Sequence, residues 1–347
     1  MSNSVTARRS RSRFPLGGWE SSLLVLFVLQ VLASSFSIPG FFDSFSSWLG
    51  LTENFLPFGI VALGLSVVIL TGGIDLSVGS TAGLGAIVMA ELWLHLGMPI
   101  WIAVMIGVAL GALVGLINGL IITRFNTEPL IATLATSFIY RSVGTALAGE
   151  SPPSGFPDSF NALGQGAIGG LIPYQLILFS ILAVLFALLM SRSAYGRKIV
   201  MVGYNGDAAR YSGLRVGRIV TSAYVISGAM AALAGIVLAA YYSAVRPDMG
   251  DILLLTTITT VVLGGISIFG GEGSIGGVVI AVLLLGFLRQ GMLIAGFSDM
   301  VTTMVTGAIL LAAITIRNLL SGRGTGMALL VRRFRNLGRD KLTEATK

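Results

Sequence analysis

The feature that most constrains this chain is a succession of apolar runs, many of them 18 residues or longer, separated by short polar turns. A run of that length, wound as a helix, matches the roughly 30 Å hydrocarbon core of a bilayer. Lipid offers the backbone no hydrogen-bond partner, so each run must satisfy its own amides, and a helix does so. The chain therefore reads as an all-α polytopic membrane protein. Only 11% of its residues are charged, against about a quarter in soluble proteins. The expected spans are 21–38, 55–73, 76–96, 99–122, 129–149, 172–190, 219–242, 252–269, 275–297 and 300–317, ten in all. The first is long for a signal-peptide core and many spans follow, so it reads as retained. An even count returns both tails to one side.

Charge then orients the chain. Of the 22 Lys and Arg, 18 lie in three places: the N-terminal tail (Arg8, Arg9, Arg11, Arg13), the segment 192–218, and the region from Arg317 onward. The loops expected on the opposite side hold one base, Arg246, beside Asp43, Glu53, Glu150, Asp158, Asp248, Asp251 and Asp299. The positive-inside rule places the tails and the 192–218 loop in the cytoplasm. Three regions follow: a cytoplasmic tail at 1–20, a membrane domain at 21–317, and a basic amphipathic tail at 318–347. In that last tail Met327, Leu330, Val331, Phe334 and Leu337 share one face, opposite Arg332, Arg333 and Arg335. Such a helix lies on an anionic membrane surface. The positive charge thus points to lipid and not to nucleic acid. Without cysteine there are no disulfides or thiolate metal sites, and the single His95 cannot build a metal site alone. The Pro/Gly/Ser-rich loop 150–171 is expected to lack regular structure or to hold a short interfacial helix.

The basic segment 192–218 carries Arg192, Arg197, Lys198, Arg210, Arg215 and Arg218 against one acid, Asp207. Its middle reads as a short helix: Asn205 caps, Asp207 sits in the first turn, Ala208, Ala209 and Arg210 favour helix, and Gly213 closes it. On the residues alone, a docking element for a partner and a solvated, topology-setting linker weigh equally.

Two glycine motifs resemble each other, Gly72-Gly73-Ile74-Asp75-Leu76-Ser77-Val78-Gly79 and Gly264-Gly265-Ile266-Ser267-Ile268-Phe269-Gly270-Gly271. Each ends one apolar run and precedes another, a weak internal duplication of a kind common in transporters. Bent backbone at membrane depth is tolerated where it is buried or lines a cavity. Gly72, Gly73, Asp75, Ser77, Gly264 and Gly265 are thus candidates for a pathway or inner gate, with tight helix-turn-helix packing as the equal alternative. The Gly270–Ser274 stretch lacks the Gly-Lys-Ser/Thr ending of a phosphate loop. No nucleotide site is visible, so any energy from ATP must enter through another subunit. Gly107, Gly111, Gly115 and Gly119 form a stripe for close helix packing. Asp75, Glu91, Arg141 and Arg289 fall inside or at the ends of spans, where a charge should face a cavity or a partner. Tyr140 with Arg141, and Arg289 with Gln290, are candidate contacts for a small hydroxylated ligand. A structural ion pair, such as Glu91 with Arg141, is the alternative.

Four stretches carry a resemblance: GGIDLSVGS (72–80), NGLIITRFNTEPLIATLATSFIYRS (118–142), YGRKIVMVGYNGDAARYSGL (195–214) and VLGGISIFGGEGSIGG (262–277). In order and spacing they resemble the permease subunits of ribose-type ABC importers, a family of sugar and autoinducer-2 transporters, from about residue 55 to 316. SAVRPDMG (243–250) and LRQGM (288–292) bring it nearest the autoinducer-2 and rhamnose permeases. The resemblance implies a permease dimer, homo- or heteromeric, in the bacterial inner membrane. It also implies a cytoplasmic ATPase that binds ATP and Mg, a periplasmic substrate-binding protein, and a sugar-like ligand moved by alternating access. The permease itself then carries no cofactor and is no enzyme. Gly196, Arg197, Gly203, Asn205, Asp207, Ala208, Arg210 and Gly213 fall in the stretch that contacts the ATPase in that family. The rival is an ion-coupled secondary transporter, which would want titratable carboxylates at the midplane; Asp75 and Glu91 are sparse candidates.

Overall fold

Helices occupy every place where an apolar run predicts one. The computed structural model describes residues 18–150 and 153–320; the two tails, including the expected amphipathic stretch at 327–337, lie outside the described residues. The order is α1 (Gly18–Ser37), α2 (Phe45–Gly50) running into a 3-10 turn (Leu51–Asn54), α3 (Leu56–Leu70), α4 (Val78–Leu94), α5 (Ile100–Phe125) and α6 (Pro129–Ala148). Next come α7 (Asp158–Gln165), a minimal hairpin of β1 (Ala167–Ile168) and β2 (Ile172–Pro173), and α8 (Tyr174–Arg192). The described residues continue with α9 (Ala194–Tyr204), α10 (Gly206–Tyr211), α11 (Val216–Tyr242), α12 (Asp251–Leu263), α13 (Ile275–Ile294) and α14 (Asp299–Leu320). The loop at 150–171 thus holds a short helix, as expected, and the first strand of a hairpin that was not.

Six of these helices, α1, α5, α6, α8, α11 and α13, are long and apolar enough to cross a bilayer unaided. A seventh span is formed if the bent pair Phe45–Asn54 and Leu56–Leu70, at 54°, is counted as one. Helices α4 and α12 are apolar but shorter. Helix α12 corrects the run expected at 252–269: it stops at Leu263, and residues 264–274 form glycine turns.

Helix α11 is the axis of the molecule, packed on α3, α4 and α5. The glycine stripe of α5 allows this. A Cβ on Gly111 would collide with Gly228 and Ala232 of α11, one on Gly115 with the Tyr224 carbonyl, and one on Gly119 with Thr221. Small residues bring two backbones together where lipid supplies no hydrophobic drive between helices. The aromatic side chains cluster elsewhere, Phe27, Phe41, Trp48 and Phe55 all meeting Phe287 of α13.

The connection from α11 to α12, expected as a loop between spans, packs back along neighbouring elements. Ala244 bridges Ser154 and Val245 N–H donates to the Pro153 carbonyl at 3.0 Å. Pro247 then lies against Gly83, and Gly250 against Gly79, along the first turns of α4.

Candidate functional site

The basic segment folds as a two-helix elbow. Ser193 caps α9, its Oγ accepting from Gly196 N–H at 3.1 Å, and Asn205 caps α10, its Oδ1 accepting from Ala208 N–H at 2.9 Å. Gly213, with φ at +81°, closes the elbow. The Asn205 cap and the Gly213 stop stand where the sequence places them; α9 as a helix was not anticipated. One side of the elbow is buried through Gly196, Ile199, Val202 and Ala209. The other side presents Arg197, Asn205, Asp207, Ala208 and Arg210 to solvent. It also presents Tyr204 and Tyr211, 75% and 94% exposed, aromatic side chains whose exposure composition could not signal. Arg210 Nη1 lies 3.6 Å from Asp207 Oδ1.

The elbow rests on both glycine motifs at once. A Cβ on Gly203 would strike the Leu70 carbonyl at the end of α3 and the backbone of Gly271. That same Leu70 carbonyl accepts from Gly271 N–H at 3.0 Å. Gly270 packs on Gly72, and Gly271 on Tyr204. Gly72, Gly265, Gly270 and Gly271 all have φ between +74° and +94°, the left-handed region that side chains resist. Gly264 backs on Gly277 and Val278 of α13, and Gly265 lies under Trp19, whose Nε1 donates to the Leu263 carbonyl at 2.9 Å. The ends of α3 and α9 and the turn from α12 to α13 are therefore one backbone-to-backbone junction, which no spacing in the sequence announces.

Beside it stands a buried polar cluster. Asp75, 1% exposed, has both oxygens engaged: Oδ1 accepts from Ser77 N–H at 3.0 Å and Ser77 Oγ at 2.6 Å, and Oδ2 from Ser227 Oγ at 2.9 Å. Asn118 Nδ2 donates to Ser77 Oγ at 2.8 Å, and the Tyr140 hydroxyl donates to Asn118 Oδ1 at 2.8 Å. Gly73 faces the Tyr224 hydroxyl, which donates to the Ile74 carbonyl at 3.4 Å. Asp75, Ser77 and Tyr140 thus point into helix packing, tying the α3–α4 link to α5, α6 and α11.

The expected pairings change accordingly. Arg141 pairs with Asp251 and not with Glu91, which instead sits 3.3 Å from His95 at the end of α4. Tyr140 and Arg141 do not act together, because successive helix residues point apart and Tyr140 is taken by Asn118. Arg289 and Gln290 part likewise: Arg289 reaches Asp299 at 2.5 Å while Gln290 is buried. Among the described residues no group of three or more His, Cys, Asp or Glu is placed to hold a metal.

A family model described as the permease component of branched-chain amino acid transport systems matches residues 48–314. Curated relatives described as autoinducer 2 import system permease protein LsrD align along nearly the whole chain. The protein from Klebsiella pneumoniae is 39% identical over 87% of this chain and 92% of its own length. Those from Enterobacter sp. (strain 638) and Salmonella typhi are each 37% identical, over 87% and 86% of this chain and 93% and 91% of their own lengths. A multi-helix membrane domain with a basic elbow and matches of this extent place the chain in that permease family: it is the non-catalytic membrane component of an ABC importer, and ATP is bound by a partner subunit.

Proposed function

We propose that this permease carries autoinducer 2 or a related sugar-like solute, rhamnose or ribose among them, across the bacterial inner membrane. It works beside a second permease subunit, a cytoplasmic ABC ATPase and a periplasmic binding protein. The chain crosses the bilayer ten times with both tails in the cytoplasm. The elbow at 192–218 is the ATPase-docking element, with Gly196, Arg197, Gly203, Asn205, Asp207, Ala208, Arg210 and Gly213 as its coupling residues.

The single observation that carries this is the junction of Gly203 with Leu70 and Gly271. A push on the exposed side of the elbow reaches the end of α3 and the turn from α12 to α13 through backbone contacts, with no flexible side chain between to absorb it. Packed interfaces of this kind shift between discrete arrangements rather than deforming smoothly. In this reading Gly72, Gly73, Gly264 and Gly265, the halves of a weak internal repeat, are hinge points at the inner gate. Asp75 and Ser77 hold the first hinge to its neighbours. Alternating access then follows ATP-driven closure of the ATPases.

Reconstitution with the ATPase, second permease subunit and binding protein tests it. Uptake of autoinducer 2 should require ATP and vanish with Arg210→Glu while the assembled permease is recovered in normal amount. Uptake driven by a proton or sodium gradient without the ATPase would refute the assignment.

A further inference from the structure

Helix α12 starts far from either end of the molecule. It follows a non-helical descent: Ser243, at φ 52°, ends α11, and the chain passes Gly83 before Gly250 reaches Gly79. Gly79 is the second residue of α4. Asp251, the first residue of α12, pairs with Arg141, which lies well inside α6. Arg141 stands twelve helical steps beyond Pro129, so the pair sits about 18 Å along a helix of about 30 Å. That is the central region of a hydrocarbon core of about 30 Å. Irregular backbone at such depth must be buried in protein or border a water-filled cavity, and a charge there must face a cavity or a partner. Here the pair is only half-buried, the Arg141 and Asp251 side chains being 48% and 42% exposed. A cavity of about 350 Å³ opens along the descent, lined by Tyr242, Ala244, Arg246, Asp248, Met249 and Ile252.

We propose that this cavity, with the adjoining Arg141–Asp251 pair, is a solute subsite on the translocation pathway, shaped for a small, net-neutral, polyhydroxylated molecule. The assignment rests on the importer reading above and adds where the solute is held. The charges balance: two guanidinium groups, on Arg141 and Arg246, face two carboxylates, on Asp248 and Asp251. Arg246 already grips Asp248 bidentately, through Nε at 3.1 Å and Nη2 at 2.9 Å. A balanced set does not favour a net charge, whereas a hydroxyl can accept from guanidinium and donate to carboxylate at the same time. The Tyr242 ring, Met249 and Ile252 give the apolar surface that suits the C–H face of a sugar-like ring. The volume is at the small end of ligand pockets. Contacts this open fit weak holding and release.

The chain contains no cysteine, so single cysteines can report on the site. Ile252→Cys, with Ile181→Cys on the exposed face of α8 as the control, is built into the complete importer in liposomes. A charged, membrane-impermeant thiol reagent should modify Ile252→Cys at least tenfold faster than Ile181→Cys. Ribose or autoinducer 2, supplied with its binding protein and ATP, should slow that reaction. Asp251→Asn should raise the KM for uptake about tenfold. Equal, slow modification at both positions overturns the proposal, and so does modification indifferent to both solutes. Full recovery of uptake in the double charge swap Arg141→Asp with Asp251→Arg would make the pair merely structural and also overturn it. ATP-driven uptake by the cysteine-free chain is measured in parallel, so its loss counts against the importer reading and not against the subsite.

Discussion

Gly203 is where one methyl group would do most damage. Its missing Cβ lets the end of α9 lie on the Leu70 carbonyl, so Gly203→Ala must push the elbow off α3 or break the bond from Gly271. If the ATPase docks on the exposed side as proposed, uptake should fall at least tenfold while the ATPase still binds; co-purification and transport measured together check this. Gly206, which has open space around it, is the internal control, and Gly206→Ala should transport normally. Asp75 poses a different problem. Among the described residues Ser227 is the only donor to its Oδ2, and both side chains are buried. Ser227→Ala leaves a buried carboxylate oxygen without its partner, a loss of about 1–3 kcal/mol; thermal unfolding in detergent should register it. Asp75 was legible as a polar residue beside two glycines. Its partners were not, because Asn118, Tyr140 and Ser227 lie on other helices and nothing local fixes which helices meet.

At the scale of elements, the elbow shows what a sequence does and does not reveal. Capping chemistry is local, so Asn205 and Gly213 mark the ends of α10 directly. Helix α9 is hidden because Gly196 and Gly203 weaken helix propensity, and both are there for tertiary reasons: Gly196 clears the Met190 backbone and Gly203 clears Leu70. Asn205→Ala should cost α10 about 1 kcal/mol. In a helix of six residues, that loss should appear as faster hydrogen exchange over 206–211, with Asn205→Asp restoring protection. The same contrast governs α12. Hydropathy sees an apolar run from 252 to 269, but the break at Leu263 and the start at Asp251 depend on Gly277 and Gly79, on α13 and α4. Periodicity reports that a helix exists; close backbone contact decides where it stops.

For the whole molecule, sidedness is the property on which the functional reading turns. The ends of α3 and α9 and the turn from α12 to α13 form one junction, and Arg124 stands in the last turn of α5 beside the start of α11, where Thr123 and Thr221 hydroxyls lie 3.2 Å apart. The basic residues of 192–218 and Arg124 therefore share an end with both glycine motifs. The opposite end carries Asp158, Glu53 and the 153–173 segment, fixed to α11 by the Gln165 side chain donating to the Tyr241 carbonyl at 2.6 Å. The translocation machinery retains Lys and Arg in the cytoplasm and largely ignores acids, so the proposed topology puts the end rich in bases inside. Single cysteines at Ser212 and Ser159, both exposed and at opposite ends, separate the possibilities in intact cells. An impermeant maleimide added outside should modify Ser159→Cys, and should reach Ser212→Cys only after the inner membrane is opened. The reverse pattern would put the elbow where no ATPase can touch it, and the junction at Gly203 would then have nothing to transmit.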